Sequence, residues 1–310
     1  MFGRRGDGRV FKKIDPIVRF TPYIMKDRSD AQVFMTLDCD YDSCSAFMRQ
    51  KKAEGHNNIT MMSLIIAGYV RALSKRPEPN RFVIAKKLYV RNHMCVTFTA
   101  VSKRDSEEVN EVTIKVYFDP SRDTVFTVSD RIARALEQNL GENTADNATL
   151  KVANGILSVP LLPSFLVNVL MWADRRGMLP RALIDASPFH SSMVITNMAS
   201  IKMNSVYHHI YNFGNVGMFI GMGKRTTRLS LDSEGRLKSR RVIPLGIVID
   251  ERLCAGATYA MAVHHWEYYM KHPELLETPP EPEEVRYENG MEYHLVGDRP
   301  DYGKKQRPAS

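Results

Sequence analysis

Strand-like and helix-like segments follow one another along this chain with no regular βαβ repeat and no internal duplication, and that order limits the fold more than any other feature. QVFMTLD, residues 32–38, alternates as a strand does. In ITMMSLIIAGYVRALSKRPEPN, residues Met61, Leu64, Ile65, Gly68, Ala72 and Leu73 recur at helical spacing, and Pro77 with Pro79 ends the pattern. RFVIAKKLYV, MCVTFTAV and VTIKVYF read as strands, the last with Val112, Ile114, Val116 and Phe118 on one face. A second helix is expected over about 127–140, with Val128, Ile132, Ala135 and Leu136 as its stripe. SSMVITNM, VGMFIGMG, TRLSLD and RRVIPLGIVID supply further strands, with DSEGR as a hairpin turn. ATYAMAVHHWEYYMKH follows as a helix stopped by Pro273. The mixture favours an α+β sandwich over a doubly wound sheet.

Residues 1–15, rich in Gly and Arg, read as a flexible basic arm; 16–278 form the domain; 279–310 read as an extended Pro- and Glu-rich tail. Residues 156–185 are strongly apolar, broken by Pro160 and Pro163 and closed by Trp172, Arg175 and Arg176. One reading is a helix lying on a membrane surface; the other is a buried helix or a subunit-packing element. The missing broad charged face favours the second. Apolar residues make up 44% of the 310, enough for a sizeable core, and no run of about 18 apolar residues suggests a transmembrane segment.

Cys39, Cys44, Cys95 and Cys254 form no C-x-x-C pair and have no zinc-like spacing, so they read as reduced, mostly buried thiols of a cytoplasmic protein, and no metal is expected. The net charge of +8 suits a phosphate-rich cofactor, an anionic surface or plain solvation; no motif supports nucleic acid. GMGKRTT (221–227) lacks the spacing and the following helix of a phosphate loop. His208–His209 and His264–His265 are adjacent, so neither pair alone forms a chelate.

Three segments in order carry a resemblance. They are the ITMMSLIIAGYVRAL helix with its PEPNRF end, SSMVITNMASIKMNSVYHHIYNFGNVGMFIGMGK, and LGIVIDERLCAG with the helix after it. Together they resemble the catalytic domain of the dihydrolipoamide acyltransferases of 2-oxoacid dehydrogenase complexes, similar in turn to chloramphenicol acetyltransferase, over about residues 16–278. The resemblance implies an α+β two-layer sandwich with a mixed sheet and helices, a homotrimer with its acyl-transfer site between subunits, further assembly left open, and coenzyme A or acyl-coenzyme A as substrate. In that family Asp-His-Arg-x-x-Asp-Gly supplies a histidine base, and a hydroxyl shortly after a Thr/Ser-Asn pair supports the oxyanion. Here Asp250, Arg252 and Gly256 match, Thr196 and Asn197 match the pair, and Ser200 or Ser205 would carry the hydroxyl. Glu251 stands where the histidine belongs and Ala255 where the second aspartate belongs.

Moving a thiol proton onto an unperturbed glutamate is uphill by about four pK units, on the order of 5–6 kcal/mol, and burial could recover much of that. Glu251 is therefore either an unusual base or a structural carboxylate. The lost aspartate would leave a buried arginine, Arg28 by context, in need of a partner, and Glu251 is one candidate for that role. His93, His208 and His209 are alternative bases. The absence of lipoyl modules before the domain leads to the expectation of a separate acyl carrier. A non-catalytic oligomeric scaffold that binds partner proteins is the other reading.

Overall fold

The computed structural model describes residues 4–103, 109–140, 160–288, 293 and 295–300. In chain order the elements are β1 (Arg4–Arg5), β2 (Gly8–Val10), α1 (Pro16–Ile24), β3 (Gln32–Asp40), α2 (Tyr41–Ala53), α3 (Met61–Lys75), β4 (Phe82–Ile84), β5 (Lys87–Arg91), β6 (Met94–Lys103) and β7 (Val109–Phe118). They continue with α4 (Val125–Leu140), α5 (Leu162–Arg176), α6 (Arg181–Ala186), β8 (Met193–Asn197), β9 (Met218–Met222), β10 (Thr226–Leu231), β11 (Leu237–Asp250), α7 (Gly256–Lys271), β12 (Leu295–Val296) and β13 (Arg299–Pro300).

The main sheet runs β10-β11-β9-β8-β6-β7, with β3 on the other edge of β11. It is mixed: β6–β8 and β8–β9 are parallel, the remaining pairs antiparallel. Period-two alternation divides its faces. Ile243, Leu245, Ile247 and Ile249 of β11 join the large core under the helices, whereas Val248 joins a small outer cluster with Ile210, Val216 and Phe219. The helical layer is α2, α3, α4 and α7, so the α+β two-layer sandwich expected from the sequence is the architecture found.

Local chemistry explains the helix at the centre of that layer. Thr60 and Ser63 exchange side-chain-to-backbone bonds as a capping box, which starts α3 at Met61. Gly68 then lets α7 approach, because a Cβ there would lie within 3.0 Å of Met270 Cε. At this crossing Trp266, fully buried, donates from Nε1 to Ile65 O at 3.0 Å. Gly68→Leu is expected to force the two helices apart and to cost about 1–3 kcal/mol or more, measured as a lower denaturant midpoint.

Three segments depart from the sequence reading. The basic arm is structured from Arg4 onward: β2 pairs with β5, and Arg5 and Asp7 are 8% and 1% exposed. Charge-rich composition suggested mobility, but Arg5 is buried against Asp7 and Asp174, while Arg9, Lys12 and Lys13 stay exposed. The tail likewise packs on the domain beyond residue 278. Arg286 N donates to Ser74 O at 2.8 Å, Arg81 Nε to Glu288 at 2.9 Å, and Tyr293 is buried with its hydroxyl against Asn80. Finally, α5 is not a buried helix: Phe165 is 63% and Trp172 49% exposed. Among the described residues no helix is long and apolar enough to cross a membrane. The apolar run from 156 to 159 and residues 301–310 of the tail lie outside the described residues.

Candidate active site

The corner after β11 is organised by one carboxylate. Asp250 is completely buried and accepts from Arg252 Nε and Nη2 at 2.8 Å each and from the Arg252 backbone N–H at 3.1 Å. Arg28 Nε lies 3.5 Å from the same side chain. The other donors of Arg28 go to main-chain oxygens of Val83, Tyr211, Asn212 and Gly214. Burial lowers the Arg28 pKa to about 10, Asp250 pulling it back up and Arg252 pushing it further down. Tyr259 of α7 donates its hydroxyl to Asp250 O at 2.9 Å, tying the helix to the corner.

Arg28 thus pairs with Asp250 and not with Glu251, one candidate partner that the sequence offered. Asp250 takes over the neutralising role that Ala255 cannot fill, and Glu251 is exposed, its backbone N–H bonded to Ala31 O at 2.8 Å. Gly256 opens α7, and a Cβ there would meet nothing within 4 Å, so its surroundings do not demand glycine.

The second group of candidate residues lies on the outer face of the sheet. Thr36, Gly246, Gly221 and Thr196 are register partners across β3, β11, β9 and β8. A side chain at either glycine would collide with the main chain of Val206, and one at Gly223 with that of Ser205. The missing side chains therefore form a trough for the segment 203–210, which lies against the sheet like a strap. Tyr207 Oη meets Thr36 Oγ1 at 2.6 Å at one border, and His208 Nε2 meets Thr196 Oγ1 at 3.1 Å at the other. His208 stacks on Phe219, centroids 4.6 Å apart, and partial burial followed by its neighbour His209 lowers its pKa below the usual 6.5. The glycines of GMGKRTT thus serve the strap, a role invisible without knowing that Gly246 lies opposite Gly221.

The two serines separate. Ser200 donates its hydroxyl to Asn197 O at 2.6 Å, and Asn197 Oδ1 accepts from Ser200 N at 3.2 Å, so both are used in a local turn after β8. Ser205 is half-buried in the strap. Its carrier, Gly223, bonds from its N–H to Pro244 O. From Pro244 to Glu251 the strand advances about 3.3 Å per residue, roughly 23 Å in all. One chain therefore does not bring Glu251 and Ser205 together.

A buried charge network went unread in the sequence. Arg5 bonds Asp7 at 2.8 Å and Asp174 at 2.6 Å, Asn215 joins Asp7 to Arg91, and His190 Nε2 lies 3.3 Å from Asp174. His190 Nδ1 also lies 2.8 Å from Ser187 Oγ. Ser187, His190 and Asp174 have the composition of a hydrolytic triad. Yet His190 is fully buried and Asp174 is already engaged by Arg5, so the trio clasps α5 to the sheet. Burial would raise the carboxyl of Asp7, but Arg5 outweighs it and holds the group below the usual carboxylate range. The four cysteines are free and buried, and no group of three or more His, Cys, Asp or Glu among the described residues could hold a metal.

Of the alternative bases, His93 is eliminated. It is 2% exposed, and burial, then Arg91, Lys115 and Arg181 against Asp7, push its pKa well below 6.5. The unfolded chain binds a proton there near pH 6.5 and the folded chain does not. Stability from this group is complete above about pH 6.5 and falls on acidification, at a slope approaching about 1.4 kcal/mol per pH unit. Urea midpoints between pH 7.5 and 5 are expected to follow that direction, with the dependence reduced in His93→Asn.

No family model matches the chain, and no curated protein sequence matches it. Solved structures do. The cubic core of the pyruvate dehydrogenase multienzyme complex superposes with a TM-score of 0.55 at 13% identity, over 86% of this chain and 93% of that one. A probable dihydrolipoamide acetyltransferase from Listeria monocytogenes gives 0.51 at 12% identity, over 84% and 94%. The dihydrolipoamide acetyltransferase of Azotobacter vinelandii gives 0.51 at 13%, over 86% and 94%. With the strand order, the buried Asp250 corner and these superpositions together, the chain has the fold of dihydrolipoamide acetyltransferase catalytic cores, the chloramphenicol acetyltransferase-like sandwich that its motifs resemble.

Proposed function

We propose that this protein binds acyl thioesters of coenzyme A as a homotrimer in a reducing compartment such as the cytoplasm. Its acyl-transfer centre would be altered and assembled between subunits, with Glu251 of one chain facing the strap of the next. The observation that carries this reading is the pair of half-sites: Glu251 exposed just past the end of β11, and Ser205 beside Pro244 near the middle of that strand, roughly 23 Å away along it. A two-residue site split in this way works only across chains. Asp250 supports the reading too, since it relieves Glu251 of pairing with Arg28 and leaves its carboxylate available as a base. Ser205 is the better placed of the two serines for the oxyanion, because Ser200 is used in its turn.

Calorimetric titration with coenzyme A and acetyl-coenzyme A, followed by thiol release on the same sample, tests the reading. Binding with release is expected, with release lowered about 10²-fold in Glu251→Gln. Unchanged turnover in that variant together with loss in His208→Asn would move the base to His208. Failure to bind either thioester would remove this function.

The exposed apolar side chains of α1, Ile17, Phe20 and Ile24 at 79%, 61% and 69%, favour a second reading. In it the protein is an oligomeric scaffold that binds partner proteins or a separate acyl carrier. A trimer without thioester binding would support it; a monomer in dilute solution would sink it.

A further inference from the structure

A cavity of about 330 Å³ opens beside the Asp250 corner, between the loop after α1, the β4–β5 turn, α5 and residues 212–214. Lys26, Arg28, Lys86, Arg175 and Arg252 line it. The carboxylates lining it are Asp27 and Asp174, and Asp174 is already held by Arg5 and His190. Behind the wall, Arg28 and Arg252 share the single charge of Asp250, so the corner itself carries a buried positive excess. Arg28 has its N–H groups directed to Asp250 and four carbonyls, so it acts on the cavity through its field. Lys26, Lys86 and Arg175 are exposed, and among the described residues none of them is in an ion pair.

The backbone adds an independent observation. Ala85 and Lys86 both take positive φ, 48° and 63°, in the two-residue turn between β4 and β5. That turn type ordinarily uses Asn-Gly, because non-glycine residues are strained in the left-handed region. The strain is held where it sets Lys86 at the cavity wall, its ammonium also 5.1 Å above the Tyr23 ring.

We propose that this cavity is a binding site for a diphosphate-bearing small molecule. Lys26, Lys86 and Arg175, with the one net positive charge that Arg28 and Arg252 leave after Asp250 is counted, face the uncommitted carboxylate of Asp27; that excess is more than a monocarboxylate balances, whereas a diphosphate brings two or more charges and several acceptors for lysine and arginine donors. Glu251, Ser205 and His208 do not line the cavity, although it shares Arg28 and Arg252 with the corner beside Glu251.

Inorganic pyrophosphate is the probe, titrated calorimetrically into the full chain at low and moderate salt. One molecule per chain is expected to bind, more weakly as salt rises. Lys86→Gln with Arg175→Gln, both exposed, is expected to weaken it about tenfold or more while the unfolding midpoint stays put. Lys238→Gln with Arg240→Gln, on the distant hairpin, controls for net charge. Absence of binding, or equal weakening by both double variants, would overturn the site. Coenzyme A as competitor distinguishes the ligand's source: displacement of pyrophosphate points to the cofactor's own diphosphate, and co-binding to a free phosphate ester. Loss of coenzyme A binding with pyrophosphate binding intact would end the thioester reading and leave this one standing.

Discussion

Asp250→Asn is expected to destabilise the protein by about 3–5 kcal/mol, because it strands two buried guanidiniums that share one carboxylate. For a chain of this size that is a fall in melting temperature on the order of 10 °C. The amide keeps the shape, so the loss reports charge and not packing. Arg28 and Arg252 are 4% and 3% exposed and have no water to turn to. The adjacent Glu251→Gln serves as the contrast, since its side chain is exposed, and is expected to leave the midpoint unchanged. Were both variants equally mild, the corner would not depend on Asp250, and the reassignment of the ion pair from Glu251 would be wrong. Calorimetric scans of the three proteins at one concentration decide the matter.

Gly246→Val is expected to lift the strap from the sheet. A Cβ at this position already collides with Val206 O, and valine adds two methyl groups in the same space. Valine is itself well suited to a strand, so any loss isolates the collision from backbone preference. The cost is about 1–3 kcal/mol or more. Beyond stability, amide hydrogen exchange over 203–213 should accelerate while β11 and α7 stay protected. Phe219 and Val248, now under the strap, would be uncovered. Ordinary protection of 203–213 in this variant would mean that the strap is not seated by the glycine trough.

The architecture was largely readable because its signals are local. The α3 stripe with its terminating prolines, the alternation of 32–38 and the DSEGR turn each announce themselves within a dozen residues. What escaped reading depends on partners far away in sequence. Arg5 looked mobile because its acids are Asp7 and Asp174, the second 169 positions on. Gly246 and Gly221 looked like ordinary strand residues, since only their cross-strand register and the passage of Val206 reveal the trough. Asp250 matched a motif by type, yet its work as the carboxylate shared by two arginines could not be seen from IDERLCAG. For α5 the sequence left a buried helix and a subunit-packing element side by side, and the exposure of Phe165 and Trp172 removes the first. Apolar content alone does not distinguish a helix facing the core from one facing outward.

The position of β11 sets an order on synthesis. It is the last long strand made, and residues 242–250 are the ones that join 32–40 on one edge to β9 on the other. Until that stretch has left the ribosome, both halves of the sheet wait with bare, hydrogen-bond-hungry edges, and the apolar undersides of α3 and α4 have only half a floor. Such a nascent chain is an obvious client for chaperones, and its vulnerability is one of timing, not of final stability. A stalled or truncated product ending before residue 242 would keep nearly all the helices and still lack the seam that closes the sheet.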